Sequence, residues 1–109
     1  MKIIISSHHV TGISGQSFDK YLKSSLNNKI SKYIKKYAIS AHIIFDKVKN
    51  GYNCTLIISQ KRIKHYNIRV NEIALSPYDS FNQALNKLTS PLERFKDKAK
   101  KRVILQEVI

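Results

Sequence analysis

Hydrophobic positions along the chain follow two periods, and the changes of period mark the predicted elements. Residues 2–6 contain three successive isoleucines, which are β-branched and apolar and predict a short strand. From Ser17, apolar residues recur every three or four positions, which predicts a helix with one apolar stripe as far as Tyr37. The stripe consists of Phe18, Leu22, Leu26, Ile30, Tyr33 and Tyr37. Ser17 is expected to cap this helix, with Asp19 in its first turn.

The middle of the chain predicts three strands in succession. Residues 40–48 and 52–59 are strand-like, and the Asn-Gly pair at 50–51 is typical of a type I′ hairpin turn between them. After a polar connection, residues 63–70 predict a third strand, whose end is left open as far as Ala74. Three such strands form an antiparallel meander, which the N-terminal strand must join.

The last third of the chain predicts a long amphipathic helix. Ser76 is expected to cap it, with Pro77 in the first helical position and Asp79 three residues after the cap. Its apolar stripe consists of Phe81, Leu85, Leu88, Leu92, Phe95 and Ala99. Pro91 interrupts the helix, but residues 90–93 repeat the start signature. We therefore expect either a kink or a restart there, with the apolar phase preserved.

The predicted order is β-α-β-β-β-α. Because each helix has one apolar stripe, both can pack on one face of a four-stranded sheet, which makes an α+β two-layer sandwich. A chain of 109 residues is enough for one domain. We predict a single domain over 1–109, with 103–109 as a short C-terminal tail.

Charge narrows the class of partner. The chain has 20 Lys and Arg against 7 Asp and Glu, a net charge of +13. Such an excess repels itself in a compact chain, so a polyanionic partner is expected, nucleic acid before an anionic membrane surface. The apolar runs are too short for a spanning helix or a secretory signal. The single cysteine, Cys54, fits a reducing compartment, so a cytoplasmic location is predicted.

The basic residues collect on the predicted helices. On the second helix they fall within about 60° of one another, on the side opposite the apolar stripe. These second-helix candidates are Lys87, Arg94, Lys98 and Lys101, with Arg102 closing the basic run. The first-helix candidates are Lys20, Lys32 and Lys35 on its outer side, with Lys36 beside the stripe. Side by side, the two helices would form one broad basic surface suited to phosphate contacts.

Tyrosine rings are a second candidate feature, because aromatic rings can stack on nucleobases. The tyrosines considered are Tyr21, Tyr37, Tyr52, Tyr66 and Tyr78. Most of them are expected to be packing residues instead.

Enzymatic chemistry is not predicted. His8 and His9 would point in opposite directions on a strand and so could not share a metal ion. Cys54 lies in an apolar strand and reads as a buried packing residue. The sequence has no phosphate-binding loop and no obvious pair of acids for general acid–base catalysis. We therefore expect no catalytic residue, no metal site and no cofactor.

The chain resembles the ribosome hibernation-promoting factor and ribosome-associated translation inhibitor family, in its short form. The family's Asp-x-Tyr helix start, Asp-Lys-Leu centre and Lys-x-Lys-Asp-Lys-like end are matched here by residues 76–78, 86–88 and 94–98. The opening Lys-Ile-Ile-Ile-Ser-Ser-His-His-Val also looks like the family's first strand and loop. Two departures are Ser76 in place of the helix-start Asp and Pro91 within a helix that is usually continuous.

The resemblance implies a protein that binds the small ribosomal subunit, through rRNA, in the channel used by mRNA and by tRNA at the A and P sites. It would inhibit translation by occupancy under stress, with no small-molecule substrate and no membrane partner, and would be monomeric off the ribosome. Carried over by position, the rRNA-binding residues are Lys87, Arg94, Lys98 and Lys101.

Two alternatives are kept. A double-stranded RNA-binding domain also packs two helices on a sheet, but it begins with a helix and has its basic cluster at the start of the second helix. Here a strand comes first and the basic cluster closes the second helix. A general nucleic-acid-binding module remains open, because phosphate contacts do not separate DNA from RNA.

Overall fold

Four strands and three helices make up the structure, a computed structural model that describes residues 1–8, 16–34, 37–61 and 67–108. The side chains of His8, Gln16 and residues 99–108 lie outside that description. The elements are β1 (Lys2–His8), α1 (Gln16–Ser31), β2 (Ala38–Val48), β3 (Gly51–Gln60), β4 (Ile68–Ala74), α2 (Pro77–Lys87) and α3 (Thr89–Val108).

The sheet has the order β1-β2-β3-β4, with β1 parallel to β2 and the other neighbours antiparallel. Parallel pairing of β1 and β2 needs a crossover between them, which α1 supplies. The α+β sandwich predicted from the sequence is confirmed, with the second predicted helix divided into α2 and α3.

One face of the sheet forms the core. On β2, Ile43 and Phe45 are fully buried, and their register partners on β3, Leu56 and Cys54, are fully buried as well. The helices cover this face with residues that are also fully or almost fully buried. These are Leu22, Leu26, Ile30, Phe81, Ala84, Leu88, Leu92 and Phe95.

The first helix is shorter than predicted. It ends at Ser31, and the chain continues in turns in which Tyr33 N–H and Ile34 N–H both donate to the Ile30 carbonyl, at 3.1 and 2.9 Å. Once the helix ends, its periodicity no longer decides which residues face the core, so Ile34 is buried and Tyr33 only partly. Asp19 lies in the first turn as predicted, whereas Ser17 lies inside that turn and not before it.

The hairpin turn also differs from the prediction. Val48 pairs with Gly51, so the two turn residues are Lys49 and Asn50. Gly51 is the first residue of β3, and a Cβ atom there would clash with the carbonyl oxygen of Ala74 on β4. Glycine is therefore required by the close approach of β4 and not by the turn.

Pro91 accounts for the break between α2 and α3. A proline has no N–H to donate to the carbonyl four residues earlier, which here belongs to Lys87, the last residue of α2. The chain restarts at Thr89, and Leu92 N–H donates to the Leu88 carbonyl at 3.0 Å across the junction. The apolar phase is preserved, because Leu88, Leu92 and Phe95 are all fully buried.

Both ends of the α2–α3 segment can be compared with the prediction. At its start, Ser76 caps α2 by accepting the Asp79 N–H at 3.1 Å, with Pro77 in the first turn. At its end, the tail predicted for 103–109 continues α3 as far as Val108. The third strand runs to Ala74; residues 63–66 of its predicted start lie outside the described residues.

Gly51→Ala is expected to lower the free energy of unfolding by about 1–3 kcal/mol, because the added methyl group forces β3 and β4 apart. Denaturant unfolding followed by circular dichroism measures this. Lys49→Ala, in the exposed turn, is the control and should change stability by less than about 0.5 kcal/mol. Equal midpoints for Gly51→Ala and the wild type would contradict the proposed close approach.

Candidate nucleic-acid interface

The predicted basic residues that the structure describes lie on or directly after the three helices. Lys20 is exposed on α1, and Lys32 is exposed immediately after that helix ends. Lys87 is exposed at the end of α2, and Arg94 and Lys98 are exposed on α3. Lys35 and Lys36 lie outside the described residues. Lys101 and Arg102 belong to α3, but their side chains lie outside the description.

Lys87 and Arg94 lie beside the edge strand β4. They line a pocket of about 390 Å³ at the junction of α2 and α3, together with Arg69 of β4. The other lining residues are Val70, Asn86, Ser90 and Pro91. We call this the junction pocket. Three cations with an amide and a hydroxyl around one hollow suit a phosphate group.

Lys87 and Arg94 lie on a different side of their helices from the one that the sequence predicted. On α2 and α3 the two cations lie at the flank next to β4, about 90° around the helix axis from the core-facing stripe. They do not lie on the outward side opposite the stripe, as the sequence had indicated. Lys87 and Arg94 lie at the junction pocket and Lys20 is exposed on α1, and the single basic surface over both helices stays a prediction.

Lys87 is already paired within the molecule. Its Nζ lies 3.2 Å from Oε1 of Glu72 and donates to the Asn71 carbonyl at 3.4 Å. The Lys87 side chain is 54% exposed and the Glu72 side chain 33%. An ion pair with that much water contact contributes at most about 1 kcal/mol, so a phosphate group can replace Glu72 as its partner.

A second feature lies where α1 meets α2. The rings of Tyr21 and Tyr78 stack with centroids 5.2 Å apart and planes at 22°. The edge of Phe81 meets Tyr21 at 6.0 Å, and the Tyr21 hydroxyl donates to Oδ1 of Asn82 at 2.7 Å. The pKa of Tyr21 is raised, first by its hydrogen bond with Tyr78 and then by burial.

Nearer the C-terminal end of α1, Lys29 donates to the Thr89 hydroxyl at 2.6 Å. Thr89 is the first residue of α3, so this contact ties the first helix to the α2–α3 junction. Lys29 therefore acts as a structural cation between the two helices.

The uncovered face of the sheet is built from polar and isoleucine side chains. Ser6 Oγ lies 2.8 Å from Nε2 of His42. On the neighbouring strands, Asn71 donates to Asn53, which donates to Thr55, at 3.2 and 3.1 Å. Ile4 and Ile73, on this face, are 43% and 55% exposed. Arg69 pairs with Ile57 on this face, and it lines the junction pocket from the edge of the sheet.

Among the residues considered for catalysis or metal binding, His42 and Cys54 have side chains that the structure describes. His42 contacts a serine, and Cys54 is fully buried in the core. Within the residues that the structure describes, no three His, Cys, Asp or Glu side chains come together as a metal site. Across the same residues, no helix is both long and apolar enough to span a membrane.

Sequence reasoning missed Arg69, which lines the junction pocket, and Glu72, which pairs with Lys87. Arg69 alternates with apolar neighbours in a strand, so its pattern indicates only an exposed strand position. In the sequence, Glu72 is only one of seven acidic residues, and nothing in its position indicates a partner. Nothing in the sequence spacing brings either to Lys87, because that contact depends on α2 packing against the edge of β4.

The fold and the pocket together define a small basic α+β domain with a cationic hollow beside an edge strand. The chain belongs to the family described as sigma 54 modulation protein / S30EA ribosomal protein, whose sequence model matches residues 3–100. That description names a ribosomal protein and no enzyme. No curated protein matches the chain in sequence.

Two solved structures have the same fold. The N-terminal domain of Protein Y from Thermus thermophilus superposes with a TM-score of 0.69 at 15% identity, covering 87% of this chain and 99% of that one. A ribosomal subunit interface protein from Coxiella burnetii gives 0.68 at 17% identity, covering 89% and 99%. These similarities confirm the architecture.

Cys54 is expected to be chemically inert in the folded protein. Burial raises the pKa of its thiol to about 12, so the reactive thiolate is not populated at neutral pH. A thiol reagent at pH 8 should label the folded protein roughly a thousandfold or more slowly than the denatured chain. Labelling at similar rates would show that the strand is not protected.

Ionisation of Cys54 also makes the stability of the folded protein depend on pH. In the unfolded chain the thiol ionises near its ordinary pKa of about 8.5, while the folded state keeps the proton. Its contribution to stability is therefore intact below about pH 8.5 and declines as the pH rises towards 12.

Proposed function

We propose that this protein is a ribosome hibernation factor that binds the small ribosomal subunit through rRNA phosphates. It occupies the channel used by mRNA and by tRNA at the A and P sites, and inhibits translation by occupancy. The observation that carries the proposal is the junction pocket, where Arg69, Lys87 and Arg94 surround one hollow in a chain of the S30EA ribosomal protein family.

The geometry of the pocket supports recognition of a folded RNA backbone. Arginine offers several N–H donors in a planar fork that fits phosphate oxygens, and lysine adds a point charge. Because the cations come from a strand and from two helices, their spacing is held by the packed core beneath them. A preorganised set of this kind favours a backbone of matching curvature and gives little base specificity.

The remaining cations extend the contact area. Lys98 is exposed one turn after Arg94 on α3, and we propose that Lys101 and Arg102, later in the same helix, also bind rRNA. We propose that Lys20 on α1 and Lys32 after it, both exposed, also contact RNA. The same role is proposed for Lys35 and Lys36, which lie outside the described residues. Spread over the domain, these contacts give the strong salt dependence of a phosphate-binding protein.

Inhibition by occupancy requires no chemical step by the protein. The proposal therefore involves no catalytic group, cofactor or small-molecule substrate. We propose that the protein works in the cytoplasm, as a monomer off the ribosome, and binds under stress, when translation is to be halted.

Sedimentation tests the proposal directly. Purified protein is mixed with small ribosomal subunits and run through sucrose gradients at low salt and near physiological salt. The protein should travel with the subunit in both, and excess mRNA with tRNA should displace it. Binding only at low salt, or equal binding to any duplex, would leave a general nucleic-acid-binding module in its place.

Removing the two helix cations of the junction pocket should weaken binding. Lys87→Gln with Arg94→Gln is expected to lower affinity for the small subunit about tenfold to a hundredfold, and to reduce the slope of log affinity against log salt by about two. Lys49→Gln with Lys61→Gln removes the same charge from exposed sites in other elements, and should leave the slope nearly unchanged. Equal losses in both variants would contradict a localised phosphate site.

Removing the Glu72 carboxylate, which pairs with Lys87, should strengthen binding to the small subunit. Glu72→Gln leaves Lys87 without its carboxylate partner, so affinity for the small subunit should rise about two- to tenfold at low salt, with a steeper salt dependence. Asp46→Asn makes the same change in net charge on the uncovered side of the sheet and should have a smaller effect. Filter binding over a salt series measures both variants. No gain for Glu72→Gln would show that Glu72 does not compete with RNA.

A further inference from the structure

Tyr78 is the one described tyrosine that is more than half exposed. It is 52% exposed, whereas Tyr21, Tyr33, Tyr37 and Tyr52 are each only partly accessible. It lies in the first turn of α2, three residues after Leu75, which is 84% exposed. A large aromatic ring held open to water at a helix start calls for an explanation other than core packing.

The ring of Tyr78 is fixed on its inner side. Tyr21 stacks against it at 5.2 Å and 22°, and Tyr21 is itself held by the edge of Phe81 and by Asn82. Asn82 also donates to the backbone carbonyl of Tyr78 at 3.0 Å, which ties the side chain that holds Tyr21 to the backbone of Tyr78. A ring supported in this way loses little freedom when a second planar group stacks on its outer face.

We propose that the outer face of the Tyr78 ring is a stacking platform for an unpaired RNA base. The inference deepens the proposed function, on which it rests for taking that RNA to be rRNA. Every nucleobase has a π-face, so stacking tolerates any sequence and adds the base contact that the phosphate-binding cations do not make.

The charge of the whole domain favours a nucleic acid over a protein as the occupant, although Asp79 beside Tyr78 is acidic. Lys20 and Lys23 are exposed on α1, the helix that carries Tyr21, and add to the positive charge of that helix. The net charge of +13 attracts a polyanion to every side of the domain. Ring stacking with cations beside it is the usual arrangement of proteins that bind single-stranded RNA.

The platform is separate from the junction pocket. Tyr78 and Lys87 are nine residues apart on α2, which places them about 13 Å apart along the axis and about half a turn around it. Tyr78 faces α1, and Lys87 faces β4. The two flanks of α2 therefore meet different RNA segments, and one can be disabled while the other remains intact.

Oligonucleotides with and without bases isolate the stacking contact. The probes are a single-stranded RNA of about ten nucleotides and an abasic strand of the same length and charge. The wild type should bind the base-containing strand about five- to hundredfold more tightly, the range expected for one base–aromatic stack. Tyr78→Leu should lose that preference and bind the abasic strand as the wild type does, whereas Tyr78→Phe should keep it. Leu75→Ala, at the neighbouring exposed position, is the matched control and should also keep it.

A fluorescence measurement serves as a second readout. The chain has no tryptophan, so Tyr78→Trp places a single reporter at the platform. Stacking should quench its emission with the base-containing strand and leave it unchanged with the abasic strand. Equal quenching by both strands, or none by either, would overturn the proposal.

The small subunit then separates the two proposals. If the wild type fails to sediment with subunits but still prefers base-containing strands, the ribosome assignment fails and the platform stands. If subunit binding is normal and neither oligonucleotide preference nor quenching is seen, the platform is wrong and the ribosome assignment stands. If Tyr78→Leu weakens subunit binding while oligonucleotides show no base preference, the ring contacts a protein, which also overturns the base-stacking proposal.

Discussion

Burial of one apolar layer between the sheet and the helices is the constraint on which the rest of the structure depends. Ile43 and Phe45 with Leu56 supply the sheet side of that layer, and the helices close over it with leucines and phenylalanines. Since helices cover only one face, the other remains in contact with water and carries polar side chains. Unpaired cations cannot lie within the apolar layer, because burying an unpaired charge costs several kcal/mol.

The α2–α3 junction shows how the core controls the candidate site. Pro91 breaks the helical hydrogen bonding, yet Leu88, Leu92 and Phe95 remain buried in one line. Burial therefore holds the two helices in phase across the break. As a result Lys87 before the junction and Arg94 after it, seven residues apart, still lie on the same flank and line the same pocket. The junction pocket lies at this break, and its helix cations stay on one flank.

In a domain with this much positive charge, long-range electrostatic attraction brings an anionic partner near, and the fixed positions of the cations then select its shape. The attraction is long-ranged and depends on salt, while the positions of Arg69, Lys87 and Arg94 are set by packing. Glu72 moderates the first effect, because it pairs with Lys87 and lowers the local positive charge. The proposed stacking at Tyr78 would add a contact that salt weakens much less, on the other flank of α2.

The sequence by itself determined the element order, the apolar stripes and the cap at Ser76, because these depend on periods of two and 3.6 residues and on local hydrogen bonds. It also indicated that basic residues cluster along the last helix. The end of α1, the turn at Lys49 and Asn50 and the need for Gly51 depended on how neighbouring strands approach one another. Only the tertiary structure brought Arg69 and Glu72 to Lys87 and showed which tyrosine remains open, because those contacts join residues distant in sequence through packing of the helices on β4 and on each other.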